Sequence, residues 1–419
     1  MPADLERPEA PSTVEELGLD LGLLGDLVLK AFYVAGNVMA MEIADRLALA
    51  LPPTVKIIDS LRRERLCEAL GGDGESPGRI RYTLTAAGLD RAKVALAQSG
   101  YAGPAPVPLH EYVEYIRRQS IHKVLLSRQQ IEGSLTRLVL GQQTVDLIGQ
   151  ALTSQRAMIL YGASGNGKTT IAECLGRALP GCILVPHAIE VMHQVIQVYD
   201  PAAHEAMEME PANGFRETDR RWLMIRRPVV FAAGELAASH LELIRDEVNN
   251  TYEAPIQLKA NGGLLVIDDF GRQRLDAAYL LNRWIVPLER GVDNLSLHNG
   301  ARFQVPFDVI PMFLTNKRPA ELADEAFLRR IRYKIEIPSP TTELFVEILE
   351  RECQRNDVAC DEAAIRHLMD EYFRKPGRQM RGCHPRDIVE AIADAASYQG
   401  TERAMTPSTI QNACAGYFA

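Results

Sequence analysis

The stretch AMILYGASGNGKTT, residues 157–170, restricts the fold more tightly than any other part of the chain. Met158, Ile159, Leu160 and Tyr161 form a short apolar run that predicts a buried strand. Gly162, Ala163, Ser164, Gly165, Asn166, Gly167, Lys168 and Thr169 then satisfy GxxxxGK[ST] in full, with Thr170 following. Ile171, Leu175 and Leu179 fall four apart, so a helix should come next and stop at Pro180-Gly181. Each residue type has a physical task. The loop glycines allow backbone conformations closed to side chains and bring N–H groups against phosphate oxygens. The helix N-terminus adds partial positive charge at the same place. Lys168 can reach β- and γ-phosphates, and the Thr169 hydroxyl can ligate Mg²⁺. A chance glycine-rich turn would not need strand, loop and helix in this register, so the stretch reads as a nucleotide phosphate site.

The chain has 419 residues, enough for two or three domains. A net charge of -9 argues against broad, non-specific nucleic-acid binding. No apolar run approaches the roughly eighteen residues of a membrane span. The opening MPADLERPEAPST is acidic and proline-bearing, unlike a signal peptide. The seven cysteines contain no CxxC pair, and an odd number fits reduced thiols, so a cytoplasmic location is expected. His187, His193 and His204 are irregularly spaced and suggest no metal site.

Residues 1–100 form the first expected domain. Leu24, Leu27, Val28, Ala31 and Phe32 predict an amphipathic helix closed by Gly36-Asn37. Ala40, Ile43, Ala44 and Leu47 predict a second, and Val55, Ile58, Leu61 and Leu66 a third after Pro52-Pro53. Cys67–Leu70 and Arg79–Leu84 should pair as a hairpin, and residues 85–98 should form a helix capped by Thr85. Three helices, a hairpin and YTLTAAG at 82–88 resemble the winged helix-turn-helix domains of small bacterial regulators. In a DNA reader the third helix would offer Lys56, Arg62, Arg63 and Arg65, and the wing Arg79 and Arg81. Yet residues 1–100 hold 11 basic and 15 acidic residues, which places docking to a protein partner ahead of DNA. Residues 101–124 follow as a proline-bearing linker, with YAGPAPVP at 101–108 extended.

Further strands are expected in the 125–338 core. LLVIDD at 264–269 is an apolar run ending in Asp268 and Asp269, a pair suited to holding Mg²⁺ and to orienting water. VIPMFLTN at 309–316 ends on the amide Asn316, after a hairpin centred on Asn299-Gly300. Arg329 and Arg330 lie beside apolar residues, where a solvated basic edge is the plain alternative to a role in chemistry. Residues 182–186 should be a strand and Ile189–Val198 an amphipathic helix, while Phe215 and Trp222 read as packing residues. From 339 to 419 the pattern is helical, and GCHPRD at 382–387 opens a helix with Pro385 in its first turn.

From about 125 to 419 this combination resembles the AAA+ ATPases. YEAPIQLKANGGLLVIDDFGRQ and FQVPFDVIPMFLTN look like the branch holding MoxR-type ATPases and bacterial enhancer-binding activators. The most specific likeness is to predicted chaperone-like ATPases associated with Flp pilus assembly. The resemblance implies an α/β P-loop core with a parallel sheet and a helical lid, binding ATP and Mg²⁺. It also implies a homo-oligomeric ring, a hexamer, acting on a protein client. Lys168 and Thr169 would then bind phosphate and metal, Asp268 would support the metal, and Asp269 would stand in the catalytic-acid position. Asn316 would help place the attacking water. Arg330, or alternatively Arg329, would be the finger offered to a neighbouring subunit, and Arg386 would touch nucleotide from the lid, a lid ion pair being the alternative. Two departures stand out. The family usually carries Glu where this chain has Asp269, about 1.5 Å shorter in reach, a misplacement that can cost about 100-fold in rate. The activators' GAFTGA loop is replaced by VNNTYEAP at 248–255, which speaks against polymerase activation.

Overall fold

The apolar runs become a five-stranded sheet in which every neighbour is parallel. Its spatial order is Val229–Ala232, Leu264–Ile267, Ile310–Thr315, Met158–Tyr161, Tyr333–Glu336. In chain order the strands therefore lie 2-3-4-1-5. All residues of Leu264–Ile267 and Ile310–Thr315 are buried, as expected of inner strands covered on both faces. One face packs on helices Arg128–Leu135, Gln142–Ser154 and Lys168–Ala178 through Ile148, Leu152, Ile171 and Leu175. The other is covered by Leu236, Leu280, Trp284 and Phe307. This is the α/β class implied by the resemblance: a P-loop core with a parallel sheet, a C-terminal helical lid and a small winged-helix domain in front. The computed structural model describes residues 8–70, 78–207, 218–322 and 325–418. Phe215 and most of the turn expected at 71–78 lie outside these residues.

The winged-helix expectations hold closely. Helices Leu21–Ala35, Ala40–Arg46 and Leu51–Arg63 precede strands Cys67–Ala69 and Arg81–Leu84, which pair antiparallel. Val38–Met39 adds a third strand. Thr85 caps helix Ala86–Gln98, its hydroxyl accepting from the Gly88 N–H at 3.1 Å. The third helix begins at Leu51 and takes both prolines into its first turn, where a missing N–H costs nothing. Residues 101–108 are packed rather than free: Tyr101, Ala105 and Val107 are buried, and Val107–Pro108 joins a second sheet beside Ala188–Val191.

One expectation is overturned. Residues 189–198 are not a helix but the hairpin Ala188–Val191 and Gln194–Gln197, closed by Met192 and His193 at φ 50° and 63°. Alternation wins because Ile189 and Val191, then Ile196 and Val198, all reach one apolar cluster on the same side. Trp222 lies in strand Trp222–Arg226, 1% exposed, with its ring 4.6 Å from that of Tyr115, so it packs as expected.

The lid has a core of its own, with Phe345, Leu349, Phe373, Ile388 and Ile392 at its centre. Among the described residues no helix is long and apolar enough to cross a membrane. All seven cysteines are free thiols.

Candidate active site

Parallel pairing brings the candidate residues to one edge of the sheet. Tyr161 lies opposite Thr315, and Phe313 opposite Ile267, so Gly162, Asn316 and Asp268 all emerge at the carboxyl ends of neighbouring strands. The loop then rises through Gly162, Gly165 and Gly167 at φ 143°, 83° and 79°, conformations that a side chain would strain. Gly167 caps helix Lys168–Ala178, whose first turn faces the loop.

Lys168 is 8% exposed. Its ammonium donates to the Gly162 and Ala163 carbonyls at 2.9 and 3.0 Å and to Asn316 Oδ1 at 2.7 Å. Burial pushes its pKa below the usual lysine value, while Asp268 and Asp269 oppose the shift. The Thr169 hydroxyl donates to Asp268 Oδ2 at 2.7 Å. Asp268 Oδ1 accepts from the Asp269 N–H at 2.7 Å, and Asp269 itself sits at φ 50° with an exposed side chain. Ser164 and Thr170 are exposed on the loop and the first helical turn.

The turn after Asp268 is pinned from the adjacent strand. Thr315 Oγ1 donates to the Phe270 carbonyl at 2.8 Å, and Lys317 Nζ to the Gly271 carbonyl at 3.1 Å. Gln273 Nε2 donates to the Asp268 carbonyl at 2.9 Å. The element that carries Asn316 therefore also fixes the shape of the loop holding Asp269.

The arginines are placed differently from one another. Arg330 Nε donates to Glu289 at 2.7 Å. Arg329, 74% exposed at the side chain, meets Glu325 at 3.1 Å. Arg386 bonds Asp387 through two nitrogens at 3.1 and 2.9 Å, the lid ion pair weighed as its alternative. Among the described residues, the lid arginine that does reach the phosphate loop is Arg381, whose Nη1 donates to the Ser164 carbonyl at 3.2 Å. Helix-start patterns draw the eye to residues after Gly382, whereas Arg381 lies just before the helix Cys383–Gln399.

These groups suit a nucleoside triphosphate with Mg²⁺. Of the loop glycines Gly167 leaves room for close approach, the hydroxyl–carboxylate pair is a hard-oxygen donor set, and the lysine is fixed beside it. Gly167 is open on its Cβ side, with no atom within 4 Å.

In three dimensions the chain is similar to NtrX from Brucella abortus, at 12% identity and a TM-score of 0.40, covering 85% of this chain and 60% of that one. It is also similar to the RuvB Holliday junction branch migration motor of Thermotoga maritima, at 15% identity and a TM-score of 0.37, covering 66% and 70%. The chain thus spans 60% of the length of NtrX. A family model described as a domain of unknown function (DUF8689) matches residues 341–416, within the lid. No curated protein sequence matches the chain.

Proposed function

We propose that the chain binds ATP with Mg²⁺ at the carboxyl edge of its parallel sheet, hydrolyses it, and uses the cycle to remodel a protein partner. The observation that carries this reading is the convergence of Lys168 on Asn316 at 2.7 Å and of Thr169 on Asp268 at 2.7 Å. Four residues from the ends of two parallel strands and the start of one helix thereby join a cation, a metal-type donor pair and a water-orienting amide. Phosphoryl transfer needs little covalent help from a protein and mainly fixed charge around the spreading negative charge. Mg²⁺, when bound, would neutralise part of that charge, with Thr169 and Asp268 as its holders. Asp269 would orient the attacking water.

Assembly as a homo-oligomeric ring belongs to the same reading, with Arg330 or Arg329 acting on a neighbouring subunit. We take 1–100 as the partner-recruiting module, 125–338 as the core and 339–419 as the lid, with 101–124 joining the first two. The motif likeness favours the MoxR and enhancer-binding branch. A protein partner is favoured over DNA because the turn before the third helix is engaged by the core. Arg220 donates to the Leu49 carbonyl at 2.7 Å, and the Ala105 N–H to the Leu47 carbonyl at 2.7 Å. In helix-turn-helix readers the N-terminal residues of that helix meet the bases. The exposed Arg62, Arg63 and Arg65 at its other end keep a DNA-binding regulator as the second reading.

Lys168→Ala tests the reading. Nucleotide binding and phosphate release should fall below detection, and the particle mass should no longer respond to ATP·Mg²⁺. Wild-type affinity in that variant would remove Lys168 from the phosphate site.

A further inference from the structure

We infer that Asn166 is a positioning residue that latches the phosphate loop to the lid, and that the cradling shape of the loop depends on this latch. The inference rests on the nucleotide reading above and deepens it. The loop motif leaves residue 166 unspecified, yet Asn166 is only 7% exposed and uses both ends of its amide. Nδ2 donates to the Ile337 carbonyl at 3.3 Å and to Ser339 Oγ at 3.4 Å, on the segment that leaves the last sheet strand toward the lid. Oδ1 accepts from the Gly382 N–H at 3.3 Å, at the start of the long lid helix. One side chain therefore joins the loop, the connecting segment and the lid.

The neighbouring bonds run the same way. The Cys383 N–H donates to the Gly165 carbonyl at 2.8 Å, and Arg381 to the Ser164 carbonyl at 3.2 Å. A loop that turns its N–H groups toward an anion turns carbonyls outward, and those carbonyls need donors of their own. Residues 381–383 supply them. The fit is close: a Cβ at Gly165 would lie 2.5 Å from Cys383 Sγ, and one at Gly162 would lie 2.3 Å from the Ile337 carbonyl oxygen. With no slack at these contacts, loop shape and lid position form one equilibrium. A ligand that favours the cradling shape favours the docked lid by the same factor.

The full chain and its Asn166→Ala and Asn166→Asp variants decide the matter through amide hydrogen exchange, with a fluorescent ATP analogue titrated in parallel. Without nucleotide, Asn166→Ala should speed exchange at Gly382 and Cys383 about tenfold, the loss expected for one or two modest hydrogen bonds. It should weaken analogue binding by a similar factor. Asn166→Asp keeps an acceptor for the Gly382 N–H but loses the donor to the Ile337 carbonyl, so it should restore protection at Gly382 only in part. Exchange at Leu264–Ile267 should stay unchanged in both variants, which separates the latch from misfolding. Unaltered exchange at 382–383 in Asn166→Ala would overturn the inference. A wild-type chain that binds no analogue would sink the nucleotide reading alone, since the nucleotide-free exchange still decides the latch.

Discussion

Asp269 carries the sharpest question about a single side chain. Its φ of 50° is one that Asp and Asn tolerate better than most residues, and its N–H is held by Asp268 Oδ1. The backbone of the turn is further fixed by Thr315 and Lys317, so the short carboxylate is presented from a rigid base. As the proposed water-orienting group, Asp269 would gain from this pre-set turn what it lacks in reach, because orientation is among the larger contributions to rate. Asp269→Asn should therefore lower phosphate release by about 100-fold or more, the usual range for losing a positioned acid–base group, with little change in ATP affinity. Single-turnover phosphate release alongside nucleotide titration checks this, and near wild-type release would move water orientation to another group. Much of the arrangement of the candidate site was legible in the sequence. Gly162 to Thr170 form one continuous segment whose spacing is the signal, and Asp268 and Asn316 each end an apolar run. Arg381, Lys317 and Gln273 were not legible, because each acts on a main-chain carbonyl brought near only by folding.

Among the elements, the helices of the winged-helix part and the lid announced themselves through caps and periodicity, strands Val229–Ala232 and Tyr333–Glu336 did not, and the expected helix that became a hairpin has a local cause. Ala188, Val191, Met192 and Val195 fall at helical spacing as readily as the strands' apolar residues alternate. What distinguishes the hairpin is its turn, and turns with two positive-φ residues are normally signalled by Asn-Gly or Asp-Gly. Here Met192 and His193 take those conformations, so the usual signal is missing. Next to that hairpin His204 holds another loop. Its Nδ1 accepts from the Asp200 N–H at 3.0 Å, and its Nε2 lies 2.7 Å from the Lys259 carbonyl oxygen. That arrangement needs the neutral ring, and burial pushes its pKa below the ordinary 6.5. The unfolded chain therefore takes up this proton first. The stabilising contribution is complete above about pH 6.5 and is lost as pH falls below that value toward the folded pKa. Burial lowers His187 and His384 in the same direction. The urea midpoint should fall between pH 7 and pH 5, and His204→Gln should flatten that slope without abolishing it. An unchanged slope in the variant would remove His204 from the effect.

At the scale of the whole molecule, the N-terminal module is built into the core. Ala188 and Val195 of the hairpin belong to the same apolar cluster as Leu24, Leu27, Ile57 and Tyr82 of the winged helix. Arg220 reaches Asp45 and the Leu49 carbonyl, and the Gly100 N–H meets the Asn249 carbonyl at 2.6 Å. The exposed Arg220–Asp45 pair contributes little by itself, since surface ion pairs are typically worth less than about 1 kcal/mol. The shared apolar cluster is what binds the two parts, and sharing a cluster makes their unfolding cooperative. Ala188 is fully buried, so Ala188→Asp places a carboxylate in that cluster, a change that should cost several kcal/mol. If the two parts are one unit, the loss must appear in both. Exchange should accelerate by a common factor in helix Leu21–Ala35 and in strand Ile310–Thr315, while the lid, with its separate core around Phe345 and Ile388, should lag behind. Acceleration confined to Leu21–Ala35 would mean that the winged helix melts alone, and the integrated module would have to give way to a tethered one.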